Sequence, residues 1–269
     1  MKRILICGAG SFIGDSFAAY LQNDDAFSVD ILDMQNEAWR EKDFSGYDAV
    51  FHVAGIAHRK ETAENRDLYF KVNRDLCIET ARHAKNCGVG QFVFLSSMSV
   101  YGLLEGHIDK DTQPSPTSAY GKSKLEAEKM LETLCDASFR VAVLRPPMVY
   151  GEGCKGNYPL LAALAKKTPA FPDIKNARSM ISIENLCKAV KQVLDTNGSG
   201  LFFPQDPEYV CTTEMVRGLA KKYGRKIWFT RLFNPIIKRL PFSVRKKLFG
   251  SLTYDKSLSE EFLKTENAV

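Results

Sequence analysis

The chain has 269 residues, 45% of them hydrophobic and 26% charged, with a net charge of +5, proportions ordinary for a soluble globular protein with a sizeable core. Its seven cysteines and four histidines are scattered without the spacing of a disulfide framework or a metal site, so we expect no metal and a reducing, cytoplasmic location. No apolar run approaches the ~20 residues that span a bilayer, and the start of the chain is too short and strand-like for a signal peptide.

The first predicted elements are a strand, Ile4 to Cys7, a glycine turn, and a helix that continues from Asp15 to Leu21. This order places backbone N–H groups and the positive end of a helix where a pyrophosphate can bind. The alternative is a tight turn without a ligand. The candidate cofactor-binding residues of the turn are Gly8, Gly10, Ser11, Phe12, Ile13 and Gly14.

The second predicted strand, Phe27 to Leu32, is followed at once by Asp33. An acidic residue about twenty-five positions after the first glycine is the expected acceptor for a ribose 2′-hydroxyl, which favours NAD over NADP. The stretch that follows, Met34 to Ser45, is polar in character. If Phe27 to Leu32 is instead the third strand of the fold, Asp33 loses this role and NADP remains open.

Further strand-like runs alternate with helical stretches along the chain, at Ala49 to Val53, Phe92 to Leu95 and Arg140 to Leu144. Alternation of this kind indicates a parallel sheet covered by helices on both faces. We therefore expect an α/β fold with a Rossmann-type doubly wound parallel sheet and a smaller C-terminal portion.

Tyr120 follows Ser97 by 23 residues, and Lys124 comes four residues after Tyr120. On a helix that begins near Ser118, the two share one face, so the ammonium can lie beside the phenol. A free phenol titrates near ~10, and a nearby ammonium or an oxidised nicotinamide lowers that pKa. Ser97 would hold a substrate hydroxyl while Tyr120 takes its proton.

Five segments, in order, resemble the extended short-chain dehydrogenase/reductases, in the branch of NAD-dependent sugar-nucleotide epimerases, dehydratases and 4-keto reductases. In that family, the serine four positions before the tyrosine of Ser-Ser-x-x-Val-Tyr-Gly is catalytic, which corresponds to Ser97. The turn departs from the usual pattern, because Ser11 stands at the middle glycine and Gly10 is displaced. One βα unit after the first helix looks missing or reduced. The matching segments are the glycine turn, Phe51 to Gly55, Lys71 to Asn73, Leu95 to Gly102 and Leu144 to Gly151.

The resemblance implies a division of the chain into a dinucleotide-binding domain, residues 1–147, and a substrate-binding portion, residues 148–269, with parts returning to the first. It adds Ala54, Gly55, Asn73 and Pro147 to the cofactor-binding residues, beside Tyr120 and Lys124. It also implies that Arg178 and Asn157 bind the diphosphate of a UDP-sugar. Arg178 alternatively lies on an unrelated surface, and Asn157 alternatively caps a helix.

The resemblance also narrows the reaction. Dehydratases of this family carry Asp-Glu directly after the catalytic hydroxyl residue, whereas Met98 and Ser99 occupy those positions here. Two reactions remain, epimerisation at C4 of a UDP-hexose, with a role in surface polysaccharide precursor synthesis, and reduction of a UDP-4-keto-6-deoxy sugar. Met148 stands where UDP-galactose 4-epimerases carry an asparagine, which leaves the hexose open.

Two hypotheses from other functional classes stay open beside the enzyme. One is a dinucleotide-sensing regulator without catalysis, which the retained Ser97, Tyr120 and Lys124 disfavour. The other follows from the basic, apolar segment from Trp228 to Phe249, which would lie weakly on an anionic membrane surface unless its apolar side packs on the fold. No nucleic-acid motif is present, so we expect no nucleic-acid partner. As a separate expectation, the protein forms a homodimer.

Overall fold

The structure, a computed structural model, describes residues 1–57, 59–233 and 242–260. The chain divides into two compact units, each built from three stretches of sequence. The first unit comprises Met1–Gly102, Gln113–Pro147 and Ile183–Pro204. The second comprises Leu103–Thr112, Met148–Ser182 and Gln205–Val269. The strands and helices of both units are numbered together along the chain.

The first unit contains a six-stranded sheet in which every neighbouring pair is parallel. The strand order is β2-β1-β3-β4-β6-β10. Parallel strands are covered on both faces, which explains their almost continuous apolar sequences. The strands are β1 (Lys2–Cys7), β2 (Phe27–Leu32), β3 (Ala49–His52), β4 (Gln91–Leu95), β6 (Arg140–Leu144) and β10 (Gly200–Phe202).

Helices pack on both faces of this sheet. Leu5 of β1 belongs to a buried core shared with the third and fourth helices, while Phe17 of the first helix lies edge-on to Phe51 of β3, with ring centroids 5.3 Å apart. The predicted doubly wound α/β fold is therefore confirmed. The helices of this unit are α1 (Phe12–Leu21), α2 (Arg66–Phe70), α3 (Leu76–Asn86), α4 (Ala119–Glu132) and α6 (Ile183–Asp195), with a π-helical turn at Lys71–Asp75 between α2 and α3.

The position of β2 answers the question that the sequence left open. Its register with β1 runs from Lys2 opposite Phe27 to Cys7 opposite Leu32, so β2 pairs directly with the first strand. It therefore holds the place of the second strand and not the third. Within the described residues β2 is also the edge of the sheet, so the strand and crossover that the family usually adds are replaced by the irregular stretch before β3.

The interpretation of Met34 to Ser45 as a polar stretch is wrong. Met34, Trp39 and Phe44 are 8%, 2% and 0% exposed and join the core that α3 and α4 share. The rings of Trp39 and Phe44 both lie edge-on to His83 of α3. The three apolar residues are spaced five apart, which matches neither a helical nor a strand period, so a periodicity search passes over them.

Among the described residues, the second unit contains short two-stranded ladders and three α-helices. Its main core lies between two of the helices, where Leu161, Ala165, Val216 and Leu219 are buried together. The ladders pair β7 with β9, β8 with β11 and β5 with β12. The elements are β5 (Gly106–Ile108), β7 (Met148–Tyr150), α5 (Asn157–Lys167), β8 (Ala170–Pro172), β9 (Met180–Ser182), α7 (Thr212–Lys222), β11 (Trp228–Thr230), α8 (Phe242–Phe249) and β12 (Leu252–Tyr254).

The basic segment considered for membrane contact lies in this unit, and its middle, residues 234–241, is outside the described ranges. At its end, Leu248 and Phe249 pack against the core of the second unit, and the Phe249 ring lies 6.1 Å from that of Phe171. Trp228 and Leu232 remain exposed. The packing of α8 favours the alternative in which the apolar side belongs to the fold. None of the helices in the described ranges combines the length and apolar character needed to cross a bilayer.

Because Trp39 is buried before β3 and Trp228 is exposed, the two tryptophans should contribute very differently to the free energy of unfolding. Trp39→Ala removes a side chain that is 2% exposed and should lower the free energy of unfolding by about 3–5 kcal/mol. Trp228→Ala, at a position 61% exposed, should cost less than about 1 kcal/mol and serves as the matched control. Urea unfolding followed by far-ultraviolet circular dichroism measures both, and equal losses would show that Trp39 is not a core residue.

Candidate active site

The glycine turn after β1 uses main-chain angles that favour glycine. Gly8 has a φ of +135° and Gly10 of +73°. The N–H groups of Gly8 and Ala9 donate to the Leu32 carbonyl oxygen at 2.9 and 3.1 Å, which ties the turn to the end of β2. A Cβ atom at Gly8 would lie 2.7 Å from the Ala54 nitrogen, whereas one at Gly10 would meet nothing within 4 Å. The turn is thus tight on its inner side and open at Gly10.

The residue that replaces the usual middle glycine, Ser11, caps α1. Its side-chain oxygen accepts a hydrogen bond from the Gly14 nitrogen at 3.4 Å. The first intrahelical bond runs from the Asp15 nitrogen to the Ser11 carbonyl at 2.8 Å, so the N–H groups of Phe12 and Ile13 precede the helical bonding pattern. Exposed N–H groups at a helix N-terminus form an anion site, which agrees with the predicted pyrophosphate contact.

Gly14 has a packing role in addition to its place in the turn. A Cβ atom there would lie 2.9 Å from Val53 and 3.1 Å from Ile6. The absence of a side chain therefore lets α1 rest directly on β1 and on the end of β3.

Asp33 lies one residue beyond Leu32, whose carbonyl oxygen binds the glycine turn. Its carboxylate is exposed and accepts hydrogen bonds from the Gln35 nitrogen at 2.9 Å and from the Asn36 side chain at 3.3 Å. This is the place, at the end of the strand next to β1, where a dinucleotide-binding sheet positions its ribose acceptor. The structure therefore places Asp33 beside the turn, and its contact with a ribose stays a prediction.

The loop after β3 is held by Asn73, which the resemblance assigned to cofactor binding. The Asn73 side chain is fully buried, and its oxygen accepts from the Ile56 nitrogen at 2.8 Å. Its amide nitrogen donates to the Ile56 carbonyl at 3.1 Å and to the Ser123 hydroxyl at 3.2 Å. A Cβ atom at Gly55 would lie 2.9 Å from Asn73. Asn73 thus fixes the loop that carries Ala54 and Gly55 to α4, and these contacts occupy its amide.

Ser97 follows β4 and lies close to the first turn of α4. Its hydroxyl accepts from the Ser99 nitrogen and donates to the Ser99 hydroxyl, both at 3.1 Å. α4 begins after Ser118, as predicted, because the Ser118 hydroxyl accepts from the Gly121 nitrogen at 3.1 Å. A Cβ atom at Gly121 would lie 2.5 Å from the Ser99 carbonyl oxygen. This close approach brings the start of α4, with Tyr120, against the Ser97 segment.

The pKa of Tyr120 differs from the sequence-based expectation. Burial raises it, the adjacent Ser97 hydroxyl lowers it, and the nearby Tyr69 phenol raises it further, so the net shift is upward. The Lys124 ammonium does not offset this burial, since its Nζ donates to the Leu95 carbonyl at 2.8 Å and lies over the Phe94 ring. The expectation that Lys124, together with a bound nicotinamide, lowers the pKa of Tyr120 stays a prediction.

Lys124 itself is a buried cation, 5% exposed. Burial lowers its pKa to about 8, although Cys77 and Glu128 oppose that shift. Because a buried ammonium is costly without partners, the Leu95 carbonyl and the face of the Phe94 ring matter to its position.

The two predicted substrate residues lie in the second unit. The Arg178 guanidinium donates from Nη1 to the carbonyl oxygens of Gly250 at 2.7 Å and Lys246 at 3.3 Å, at the C-terminal end of α8. Burial lowers its pKa, and Glu105 opposes the shift. Asn157 is the first residue of α5, and its side chain lies outside what the structure describes. Binding of a diphosphate by these two residues stays a prediction.

Comparison with known proteins identifies the family. The model of the NAD-dependent epimerase/dehydratase family matches residues 4–201. The chain belongs to this family. It is 30% identical to a UDP-glucose 4-epimerase of Vibrio cholerae, over 97% of this chain and 90% of that protein. It is 26% identical to N-acetyl-alpha-D-glucosaminyl-diphospho-ditrans,octacis-undecaprenol 4-epimerase of Escherichia coli O157:H7, over 74% of this chain and 65% of that protein.

The fold agrees with solved structures of the same architecture. The structure of UDP-glucuronic acid 4-epimerase from Bacillus cereus in complex with NAD superimposes with a TM-score of 0.73 at 19% identity, over 96% of this chain and 90% of that one. The family establishes the chain as an enzyme with a nicotinamide dinucleotide cofactor, NAD in the family's description, and NADP stays open.

The residues of the first unit fit a dinucleotide. The open space at Gly10 and the first-turn N–H groups of α1 suit the pyrophosphate, and Asp33 stands beside them. Gly55 leaves room where a Cβ atom would lie 3.5 Å from the Lys124 ammonium. Pro147 is buried at the end of the unit, directly after Pro146, whose carbonyl accepts from the Met98 nitrogen at 2.9 Å. These residues would hold the cofactor along the carboxyl ends of the strands.

One part of the site was not found in the sequence. Glu128, one helical turn after Lys124, is 6% exposed and forms an ion pair with Arg145, which is 5% exposed. The only available signal was a glutamate four residues after Lys124, a spacing common on solvated helix faces. The partner follows β6 and is distant in sequence, so its burial could not be read from the spacing.

Two glycines with similar angles test the cofactor site. Gly10→Ala and Gly88→Ala both introduce a Cβ atom at positive φ, +73° and +79°, and neither Cβ meets an atom within 4 Å. Both should lose stability by about 1–2 kcal/mol. Only Gly10→Ala should weaken NAD⁺ binding, by at least about tenfold, because its methyl group would enter the pyrophosphate space. Titration calorimetry measures the NAD⁺ affinity of both variants. Equal affinities of Gly10→Ala and Gly88→Ala would place the cofactor away from Gly10.

Proposed function

We propose that the enzyme is an epimerase that inverts C4 of a UDP-hexose for surface polysaccharide precursor synthesis. The observation that carries the proposal is the proximity of the Ser97 hydroxyl and the Tyr120 phenol, with Lys124 one turn further along the same helix. The 30% identity with the Vibrio cholerae UDP-glucose 4-epimerase supports the reaction and the substrate class.

The chemistry divides between the hydroxyl groups and the bound dinucleotide. A bound NAD would supply the acceptor, and later the donor, of the C4 hydride. The chain handles the proton: Ser97 binds the 4-hydroxyl, and Tyr120 takes the O4 proton as the C4 hydrogen leaves. After the keto sugar turns its other face, Tyr120 gives the proton back to O4. The step requires the phenolate, so the raised pKa of Tyr120 must fall when the positively charged nicotinamide is bound.

The segment after Ser97 supports an oxidation and reduction at C4 without elimination of water. Elimination needs an acid and a base beside C5 and C6, whereas Met98 and Ser99 supply neither at neutral pH. The Ser99 hydroxyl instead accepts a hydrogen bond of 3.1 Å from the Ser97 hydroxyl. Its role is to orient Ser97.

The direct experiment separates the epimerase from its alternatives. The purified protein is denatured to identify any released nucleotide, and the native protein is incubated with UDP-glucose, UDP-GlcNAc and a UDP-4-keto-6-deoxy sugar. Retained NAD⁺ with interconversion of C4 epimers supports the proposal. Oxidation of added NAD(P)H by the keto sugar alone would replace it with the reductase. Epimerisation of an undecaprenyl-diphosphate-linked GlcNAc alone would move the substrate to the membrane surface.

A membrane-surface association and a homodimer stay predictions. The inward packing of Leu248 and Phe249 removes two of the apolar residues on which the membrane hypothesis depends. We therefore leave the membrane out of the proposed reaction.

Loss of the phenol hydroxyl tests the proton transfer. Tyr120→Phe should lower turnover of the UDP-sugar at least ~100-fold, the usual scale for a general acid/base, with NAD⁺ affinity largely retained. Tyr20→Phe, on the surface of α1 at 38% exposure, is the matched control and should leave turnover unchanged. Steady-state turnover beside NAD⁺ calorimetry gives the result, and wild-type turnover by Tyr120→Phe would refute the mechanism.

Arg178 tests the nucleotide end of the substrate. Arg178→Ala should raise the KM for the UDP-sugar by about 10–100-fold, the range for loss of charge-assisted hydrogen bonds, without changing NAD⁺ affinity. Arg178→Lys, which retains the charge, should recover part of the loss, and Arg225→Ala, at an exposed position of the same unit, should have no effect. Unchanged UDP affinity in Arg178→Ala would restrict the residue to holding the end of α8.

A further inference from the structure

A buried polar cluster centred on Glu128 lies between α4 and the ends of β4 and β6. The Glu128 carboxylate accepts the Ser96 hydroxyl in a short hydrogen bond. It also accepts from Arg145, at 3.1 and 3.2 Å from Nε and at 2.6 Å from Nη2. Arg145 in turn donates from Nη1 to the Tyr101 hydroxyl at 2.9 Å. A buried carboxylate is tolerated when it is paired and hydrogen-bonded in this way.

Main-chain hydrogen bonds beside the cluster hold the residues on both sides of Ser97. Ser96 precedes Ser97 directly, and its nitrogen donates to the Leu144 carbonyl at 2.7 Å. Met98 follows it, and its nitrogen donates to the Pro146 carbonyl, next to Arg145. The residues before and after Ser97 are therefore fixed to the end of β6, which Arg145 follows directly.

Glu128 also lies one helical turn from Lys124. The other groups that face Lys124 are its helix neighbour Tyr120, the Cys77 thiol of α3, His52 of β3, and the Leu95 carbonyl and Phe94 ring of β4. Burial raises the pKa of Cys77 to about 12 and lowers that of His52 to about 3, so both are neutral near pH 7. Tyr120 is protonated in the same range, because burial raises its pKa. Glu128 therefore supplies the negative charge that faces Lys124 from these elements.

We propose that Glu128 is a positioning residue for the reaction: clamped by Arg145, its carboxylate fixes the Ser97 segment through Ser96 and faces Lys124 one helical turn away. The proposal rests on the proposed function, in which Ser97 binds the 4-hydroxyl and Lys124, one turn beyond Tyr120 on α4, is a predicted cofactor-binding residue. Glu128 touches neither the substrate nor the cofactor in this role. It acts through its two neighbours in the site.

The pH dependence follows from the charges. Burial lowers the pKa of Lys124 to about 8, and Cys77 and Glu128 oppose that shift. Without the Glu128 charge, one of the groups that raise the pKa of Lys124 is lost, so burial lowers that pKa further. Activity that needs the ammonium is then lost at lower pH than in the wild type.

Three substitutions on α4 separate the charge of Glu128 from its geometry. Glu128→Gln should move the alkaline limb of the kcat/KM profile down by about 1 pH unit. Glu128→Asp keeps the charge but is too short to span Ser96 and Arg145, so kcat should fall while the limb stays in place. Glu132→Gln, the same change at an exposed position one turn later, should match the wild type in both.

A measurement without turnover tests the coupling to Lys124. A double-mutant cycle of Glu128→Gln and Lys124→Met, from urea unfolding, should show favourable coupling at pH 7 that is lost near pH 9.5, where Lys124 is neutral. Lys124→Met replaces a buried cation with an apolar chain of similar length, so this variant should fold.

The two experiments distinguish the two possible failures. If the wild type acts on no sugar nucleotide, the proposed function fails, and the cycle still tests Glu128. If the alkaline limb of Glu128→Gln coincides with that of the wild type, or the coupling is absent or the same at both pH values, the positioning role is overturned.

Discussion

The parallel pairing of β1 with β2 on one side and β3 on the other determines where this enzyme carries its site. The Leu32 carbonyl at the end of β2 accepts from the glycine turn, and the Cys7 carbonyl at the end of β1 accepts from Val53 and Ala54 after β3. Successive strands are added to one side of β1 and then to the other, and this change in strand order opens the crevice in which dinucleotide-binding sheets hold their ligand. A slip of one residue in this register would turn every side chain of β1 to the other face.

The candidate site lowers the stability of the fold because it buries charged side chains. Lys124, Glu128 and Arg145 are each less than 7% exposed, and loss of one partner of such a pair typically costs 3–5 kcal/mol. The groups beneath the site limit that cost by remaining neutral. His52 is fully buried, neither of its ring nitrogens has a partner within the described residues, and its ring stacks on Phe92. Helix α4 is therefore tied to the sheet by a small number of polar contacts in an otherwise apolar interior.

The shortened connection before β3 changes the edge of the sheet without disturbing the site. With no further strand described beyond β2, the edge carries Asp30, which accepts from the Tyr47 hydroxyl at 2.6 Å and lies 3.9 Å from the Arg3 guanidinium. Charged side chains on an edge strand oppose pairing with another chain. Trp39 and Phe44 then fill the space over α3 that a regular crossover would cover. Asp33 keeps its place beside the glycine turn because β2 pairs with β1 and does not depend on the missing unit.

The sequence by itself determined the features that depend on local order along the chain. Strand, glycine turn and helix in succession predict an anion site, the alternation of elements predicts a parallel sheet, and Ser118 marks the start of the helix that carries Tyr120 and Lys124. The tertiary structure alone decided the features that depend on distant residues. It placed β2 next to β1, buried Trp39 at an irregular spacing, turned the Lys124 ammonium to the Leu95 carbonyl and joined Glu128 to Arg145. Burial and long-range pairing set the cost of a charge in the interior, and neither quantity is encoded in the spacing of residues along the chain.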